Sequence, residues 1–318
     1  MLNKSVFYFL LFSSNIVFAS SFLYPQNPGD NLIEDKIREA HYTQAKHEDT
    51  LLDIAREFDI GQNEILLANP TVDRWLPGQG TKVRIPNSHL LPSSPHEGLV
   101  LNLPEYRLYF YPKQIKDQAK IVLTHPISIG RLDWDTPLGK TQIIAKNRNP
   151  VWRPPQSIKE EHAAEGDILP DVFPAGPDNP LGLFALRLGV PGYLIHSTNK
   201  PYGVGMRVSH GCIRMYPEDI EKLFPQVKTG TTVYIVNQPI KVGWSNNVLY
   251  IEVYPDLEGT ELSYEDNLSK ALDLIEQVNN NQIPVLDGNK LKLALQQHNG
   301  IPVPIFERTL LLPLEDEE

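Results

Sequence analysis

Twenty-eight prolines are spread through the 318 residues of this chain, where average usage is about 5%. Each fixes φ at about −65° and removes a backbone donor. A bundle of long helices is therefore excluded, and strands, turns and extended loops remain. The length exceeds what one small domain needs. At roughly 100–200 residues per domain, two or three units are expected. Acidic residues outnumber basic ones, 39 to 29, for a net charge of −10. No basic face that could grip a phosphate backbone is implied, so nucleic acid is not an expected partner. A single cysteine rules out an internal disulfide framework and a cysteine-rich zinc site.

Residues 1–19, MLNKSVFYFLLFSSNIVFA, have the build of an export signal. Lys4 is the positive start, 6–12 the apolar stretch, and Val17 and Ala19 stand three and one residues before a cut at Ser20. The apolar run is too short to span a bilayer and is broken by Ser13, Ser14 and Asn15. The mature chain is expected to be exported, without a transmembrane segment. In an exported protein, an unpaired thiol is either buried and inert or does chemistry.

After an N-terminal extension, 20–40, residues 41–86 read as strand, helix, helix, strand. Asp49-Thr50 supplies an N-cap signal before Leu51, Ile54, Ala55 and Phe58 on one helical face. A second apolar group, Ile65, Leu66 and Ala68, stops at Asn69-Pro70. Pro77-Gly78 marks a turn, and Val83-Arg84-Ile85 closes the unit before Pro86. Read singly, these are core and turn positions. Read together with Tyr42, the ordered pattern resembles a LysM module, a small α+β fold that binds N-acetylglucosamine-containing glycans. The resemblance implies a sugar site on two loops, at Asp49, Thr50 and Leu51 and at Asn69, Pro70 and Thr71. Glu48 departs from the glycine usual in that family.

Residues 87–96, NSHLLPSSPH, read as a linker that lets the first unit move separately. Apolar, aromatic and β-branched runs at 99–103, 107–111, 120–123, 141–145, 183–188 and 232–236 then predict a mostly β domain over 97–236. Residues 237–318 read as a partly helical appendage without chemistry. Leu268, Ala271, Leu272 and Ile275 share a helical face. Asp287 caps a second helix that stops at Gly300, and the run 310–314 is a frayed tail.

The chemistry lies between His196 and Arg214. Cys212 stands two residues after His210 and sixteen after His196. A thiol nucleophile needs a base and donors aimed at the developing oxyanion. Gly211 allows close backbone approach or positive φ, which suits the amides of Gly211 and Cys212 to that task. From the residues alone, a buried structural cysteine and a zinc site of His196, His210 and Cys212 both remain open. Pro217, Glu218 and Asp219 open a helix that buries Ile220, Leu223 and Phe224.

The string Ser209-His210-Gly211-Cys212-Ile213-Arg214, with fifteen residues between His196 and Cys212, resembles the signature of YkuD-type L,D-transpeptidases. Ser128-Ile129-Gly130, 135–139 and 175–182 also look like motifs of that family, and the whole mature chain is similar to the periplasmic ErfK/YbiS/YcfS/YnhG group. The resemblance implies a YkuD-like β-sandwich with Cys212 as nucleophile and His196 as general base and acid. It gives Ser197, Ser209, His210, Gly211 and Arg214 supporting or substrate-holding roles. The implied reaction takes a peptidoglycan tetrapeptide stem through a thioester, releases D-Ala and passes the acyl group to an amine. That amine is a second stem, giving a 3→3 cross-link, or the lysine of an outer-membrane lipoprotein. D-amino-acid exchange and carboxypeptidase action by the same site are alternatives. A non-catalytic glycan-binding wall anchor is another. No metal or organic cofactor is implied, and carbapenems are expected to acylate the cysteine. A sortase lacks its Thr-Leu-x-Thr-Cys string here, and an NlpC/P60 peptidase places cysteine before histidine.

Overall fold

A period-two alternation, which turns successive side chains to opposite faces, sets the main sheet. In the strands Gly98–Asn102 and Arg107–Tyr111, Leu99, Leu101, Leu108 and Phe110 face one core. Val100, Tyr109 and Tyr111 face another, so both sides of this layer are buried. The computed structural model describes residues 21–34 and 41–308; the export segment 1–19 and the run 310–314 lie outside the described residues. Ten strands make the sheet, and it closes through two ten-residue strands, Ile121–Gly130 and Gly139–Arg148. The first half of Ile121–Gly130 pairs with Arg107–Tyr111 and its second half with Ile213–Met215. Gly139–Arg148 passes likewise from Thr232–Val236 to Phe184–Leu188. Two layers thus share their corner strands and enclose Leu99, Leu101, Ile127, Ile143, Ile195 and Ile213. The mostly β catalytic unit is as the sequence suggested.

In the first unit, Tyr42–Gln44 pairs antiparallel with Lys82–Arg84 around helices α1 (Leu51–Glu57) and α2 (Gln62–Ala68). Thr50 caps α1 in a capping box with Asp53. Leu51, Ile54, Ala55, Ile60, Ile65 and Val83 fill its core.

The expected mobile linker is a correction. Within 87–96, Ser88–Leu90 pairs with Leu32–Glu34, and His89, Leu90 and Leu91 are buried. Ser21–Leu23 joins the edge of the main sheet. The cause is the outer apolar face of the first layer, which must be covered. Phe22, Ile33 and Leu91 cover Val100, Tyr109, Tyr111 and Val122. The first unit is also docked tightly. The amides of Gln62 and Asn63 donate to the carbonyls of Val204 and Gly205 at 3.0 and 3.1 Å. Arg56 makes a two-pronged pair with Glu218 at 2.7 and 3.0 Å, and the Tyr216 hydroxyl donates to the Ile60 carbonyl. A Cβ on Gly205, whose φ is +86°, would lie 2.3 Å from the Gln62 nitrogen.

Beneath that contact runs a buried set of charges. Arg107 pairs with Glu64 at 2.5 Å, and Lys241 pairs with Glu105 and with Glu252, the latter at 2.9 Å. Lys241 and Glu252 come from 237–318, whose strands were not foreseen. Ile240–Ser245 and Val248–Val253 form a hairpin through Asn246 and Asn247, both at positive φ. Val303–Glu307 adds a third strand. The two expected helices, Tyr264–Val278 and Gly288–Gln297, pack on this sheet. The second is capped by Asp287 and ends at His298 in the left-handed region, two residues before Gly300.

Candidate active site

The strands Leu194–His196 and Ile213–Met215 run parallel, with Ile195 level with Ile213 and His196 level with Arg214. Ile195 and Ile213 sit in the core. Alternation therefore turns His196 and Arg214 together to the other face. Cys212 immediately precedes its strand. Its thiol lies 3.6 Å from the Gly192 carbonyl. Gly192, Tyr193 and Leu194 also line a cleft of about 640 Å³, whose other walls include Trp152, Arg153 and Arg187.

His196 is buried, and its Nδ1–H donates to the Ser197 carbonyl at 2.5 Å. That bond fixes the tautomer and leaves Nε2 as a free base. Burial, reinforced by the Arg214 charge, brings the imidazole down to about 3. Burial pushes the Cys212 thiol up, against the pull of the Leu194 amide and Arg214. At rest the thiol and the imidazole are therefore each neutral.

The loop before Cys212 is held from several sides. The Ser209 hydroxyl donates to the Cys212 carbonyl. Gly211 has φ +92°, and a Cβ there would lie 2.7 Å from the Tyr193 ring. Thr136 accepts the Gly130 amide at 3.0 Å and donates to the Gly211 carbonyl at 2.9 Å. His210 points away from this cluster, onto helix α3 (Gln156–Ala164). Its Nε2–H donates to Glu161 at 3.1 Å and its ring meets Trp134 edge-on. Arg131 binds the same Glu161, so α3 is tied across the loop. Arg131 and Glu161 carry no sequence signal of their own and were missed. Thr136 was visible only within the 135–139 motif.

The residues of the two expected glycan loops divide. Leu51 is buried, and Asn69 is spent on Ile65, Arg84 and the end of α2. Neither has a side chain free to meet a sugar, so any contact there falls to the backbone. Thr50 is engaged as a cap. Asp49 accepts the Lys46 amide, and Pro70 is exposed.

A thiol against the Gly192 wall of a cleft, with a base and a guanidinium on the two adjoining parallel strands, can support acyl transfer through a covalent intermediate. Residues 97–235 match the YkuD family, the L,D-transpeptidase catalytic domain. The chain is 40% identical over 252 residues to Probable L,D-transpeptidase YbiS of Escherichia coli (strain K12), covering 78% of this chain and 81% of that one. It is 44% identical over 209 residues to Probable L,D-transpeptidase YcfS of the same strain, covering 64% of each. It is 36% identical over 257 residues to Probable L,D-transpeptidase ErfK/SrfK, also of that strain, covering 79% of this chain and 80% of the relative. The chain belongs to the YkuD family and is an L,D-transpeptidase. Among the described residues, no helix is long and apolar enough to cross a membrane.

Proposed function

We propose that Cys212 is the acyl-accepting nucleophile and His196 its base and acid, acting on the tetrapeptide stems of periplasmic peptidoglycan. As Sγ attacks the carbonyl of the third stem residue, its proton passes to His196 Nε2. The tetrahedral intermediate collapses to a thioester, and the same proton leaves on the amine of D-Ala. The acceptor amine then gives a proton to Nε2 as it attacks the thioester, and the thiol is restored. Because the pair starts neutral, the imidazolium forms only during reaction, where the developing thiolate and oxyanion offset it. The observation that carries the reading is the 2.5 Å Nδ1–H bond to Ser197, which leaves Nε2 as the free base. Ser209, Gly211 and Thr136 set the loop, Arg214 holds charge beside the sulfur, and His210 is a support.

The first unit is read as a LysM module that retains the enzyme on glycan. Asp49, Thr50 and Pro70 lie by its loops. Exposed Trp75 and Leu76 supply apolar surface next to Leu51, whose amide donates to the Arg74 carbonyl. The acceptor is a second stem or an outer-membrane lipoprotein lysine, with D-amino acids and water as lesser acceptors. Incubation with purified muropeptides, with and without lipoprotein, tests this by product mass. Thioester formation with loss of one D-Ala is expected, along with an added drug mass from a carbapenem on Cys212. A Cys212→Ala protein that still forms either adduct would overturn the assignment.

A further inference from the structure

Three side chains from separate segments meet in the seam under the first unit. They are Asp59, just after α1, His125 in the strand Ile121–Gly130, and Asp219 in helix α4 (Pro217–Leu223). One ligand atom of each lies within 4.8 Å of the others. The His125 side chain is 1% exposed, and its Nδ1 stands 3.5 Å from Asp59 Oδ2 and 3.6 Å from Asp219 Oδ1. Charge-assisted hydrogen bonds run at about 2.7–2.9 Å, so these are too long to be good ones. Neither ring nitrogen of His125 nor Oδ2 of Asp219 has a hydrogen-bond partner among the described residues.

The spacing has a simple meaning. Ligands at about 2.0–2.1 Å around a tetrahedral ion stand about 3.3–3.4 Å from one another. The cluster sets two carboxylates against one imidazole, and the nearby Arg107 is already committed to Glu64 at 2.5 Å; without a metal the two carboxylates share a proton, the direction in which burial and then Asp59 push Asp219. A divalent ion balances both carboxylates while the imidazole stays neutral. One nitrogen and two oxygens suit zinc and its neighbours better than the all-oxygen preference of calcium or magnesium. The Asp59 side chain, 11% exposed, gives a route in.

We propose that Asp59, His125 and Asp219 form a divalent-cation site of the zinc class that staples the first unit to the catalytic sheet. The ligands are brought together only in the folded chain, so the ion favours the docked state. Its reach extends toward the active site. Ile121–Gly130 pairs with Ile213–Met215, the strand that directly follows Cys212, and α4 follows that strand.

The test uses the full mature chain carrying Cys212→Ala, so that the thiol cannot be a ligand. After loading with zinc sulfate and desalting, about one ion per chain is expected by elemental mass spectrometry. Asp219→Asn and His125→Gln should each lose it. The melting temperature of the parent should rise with zinc and fall with a chelator. Either substitution can itself loosen the seam, so cobalt(II) added to the parent gives a second readout: the visible absorption of a tetrahedral site without thiolate charge transfer. An imidazolium clamped by two carboxylates with no metal would retain no zinc and leave the melt indifferent to chelator, which overturns the proposal. Equal zinc on both variants with native melts overturns it too.

Discussion

At the edge of the cleft, His196 and Cys212 are neutral, and the charge beside them is Arg214. In the seam beneath the first unit, Glu64, Arg107, Glu105, Lys241 and Glu252 are packed with direct partners. Both regions are polar and mostly dry, yet they are built for opposite ends. Cys212 and His196 carry no charge at rest, so charge at the proposed site arises only as bonds change. The five seam charges are paired with one another in advance, so they contribute little reactivity and much to the relative placement of three chain segments. Desolvation alone therefore does not mark a reactive site. What separates the two is whether the buried group is neutral or already carries a charge paired with its opposite.

The sharpest way to break the comparison is to remove a side of the seam. Deleting 41–86 takes away Glu64 and Asp59 and strips cover from Arg107, His125 and Tyr216. The remaining chain is expected to lose cooperative unfolding altogether, read by near-ultraviolet circular dichroism and thermal melting. A native melt with full action on small soluble muropeptides would show instead that the unit is an independent passenger.

On the reactive side, Cys212→Ala should abolish turnover with the melt little changed, and His196→Ala should slow acylation by about 10²–10⁴-fold. The neutral pair also has a pH signature. With the thiol pushed up and the imidazole held down to about 3, there is no thiolate–imidazolium state across neutral pH. Alkylation of Cys212 should climb about tenfold per pH unit through that range, toward a thiol titration above the ordinary one. A reactive plateau on the acid side, abolished in His196→Ala, would show that an ion pair exists at rest.

Within the seam, Glu64→Ala strands Arg107 and should cost about 3–5 kcal/mol in denaturant unfolding while leaving activity per folded molecule unchanged. A loss below about 1 kcal/mol would mean that water reaches Arg107 and the seam is not dry. The smallest effect belongs to Arg56→Ala. Its pair with Glu218 is well formed but more than a third exposed on both sides, so less than about 1 kcal/mol is expected. A larger loss would make the rim, rather than the buried charges, the source of docking strength.

Much was written locally and could be read so. The strand Thr232–Val236, the cap at Thr50, the helix opened by Pro217 and the string from Ser209 to Arg214 depend on neighbours in sequence. Their signals are turn residues, alternation and a motif whose spacing is chemical. The sequence by itself determined a mostly β chain with a helical tail unit and put one thiol beside two histidines. The strand pairing of the tertiary structure set where those histidines point. It placed His196 on the strand parallel to Ile213–Met215 and turned His210 onto Glu161, because side-chain direction depends on strand pairing that no local pattern encodes. It also converted the serine- and proline-rich stretch at 87–96 into buried cover, since the apolar face it shields belongs to strands elsewhere in the chain. The seam charges were illegible for the same reason. Glu64 and Arg107 are 43 residues apart and Glu105 and Lys241 are 136 apart (107 − 64, 241 − 105), separations that only the fold closes. A charge is buried only where its partner arrives with it.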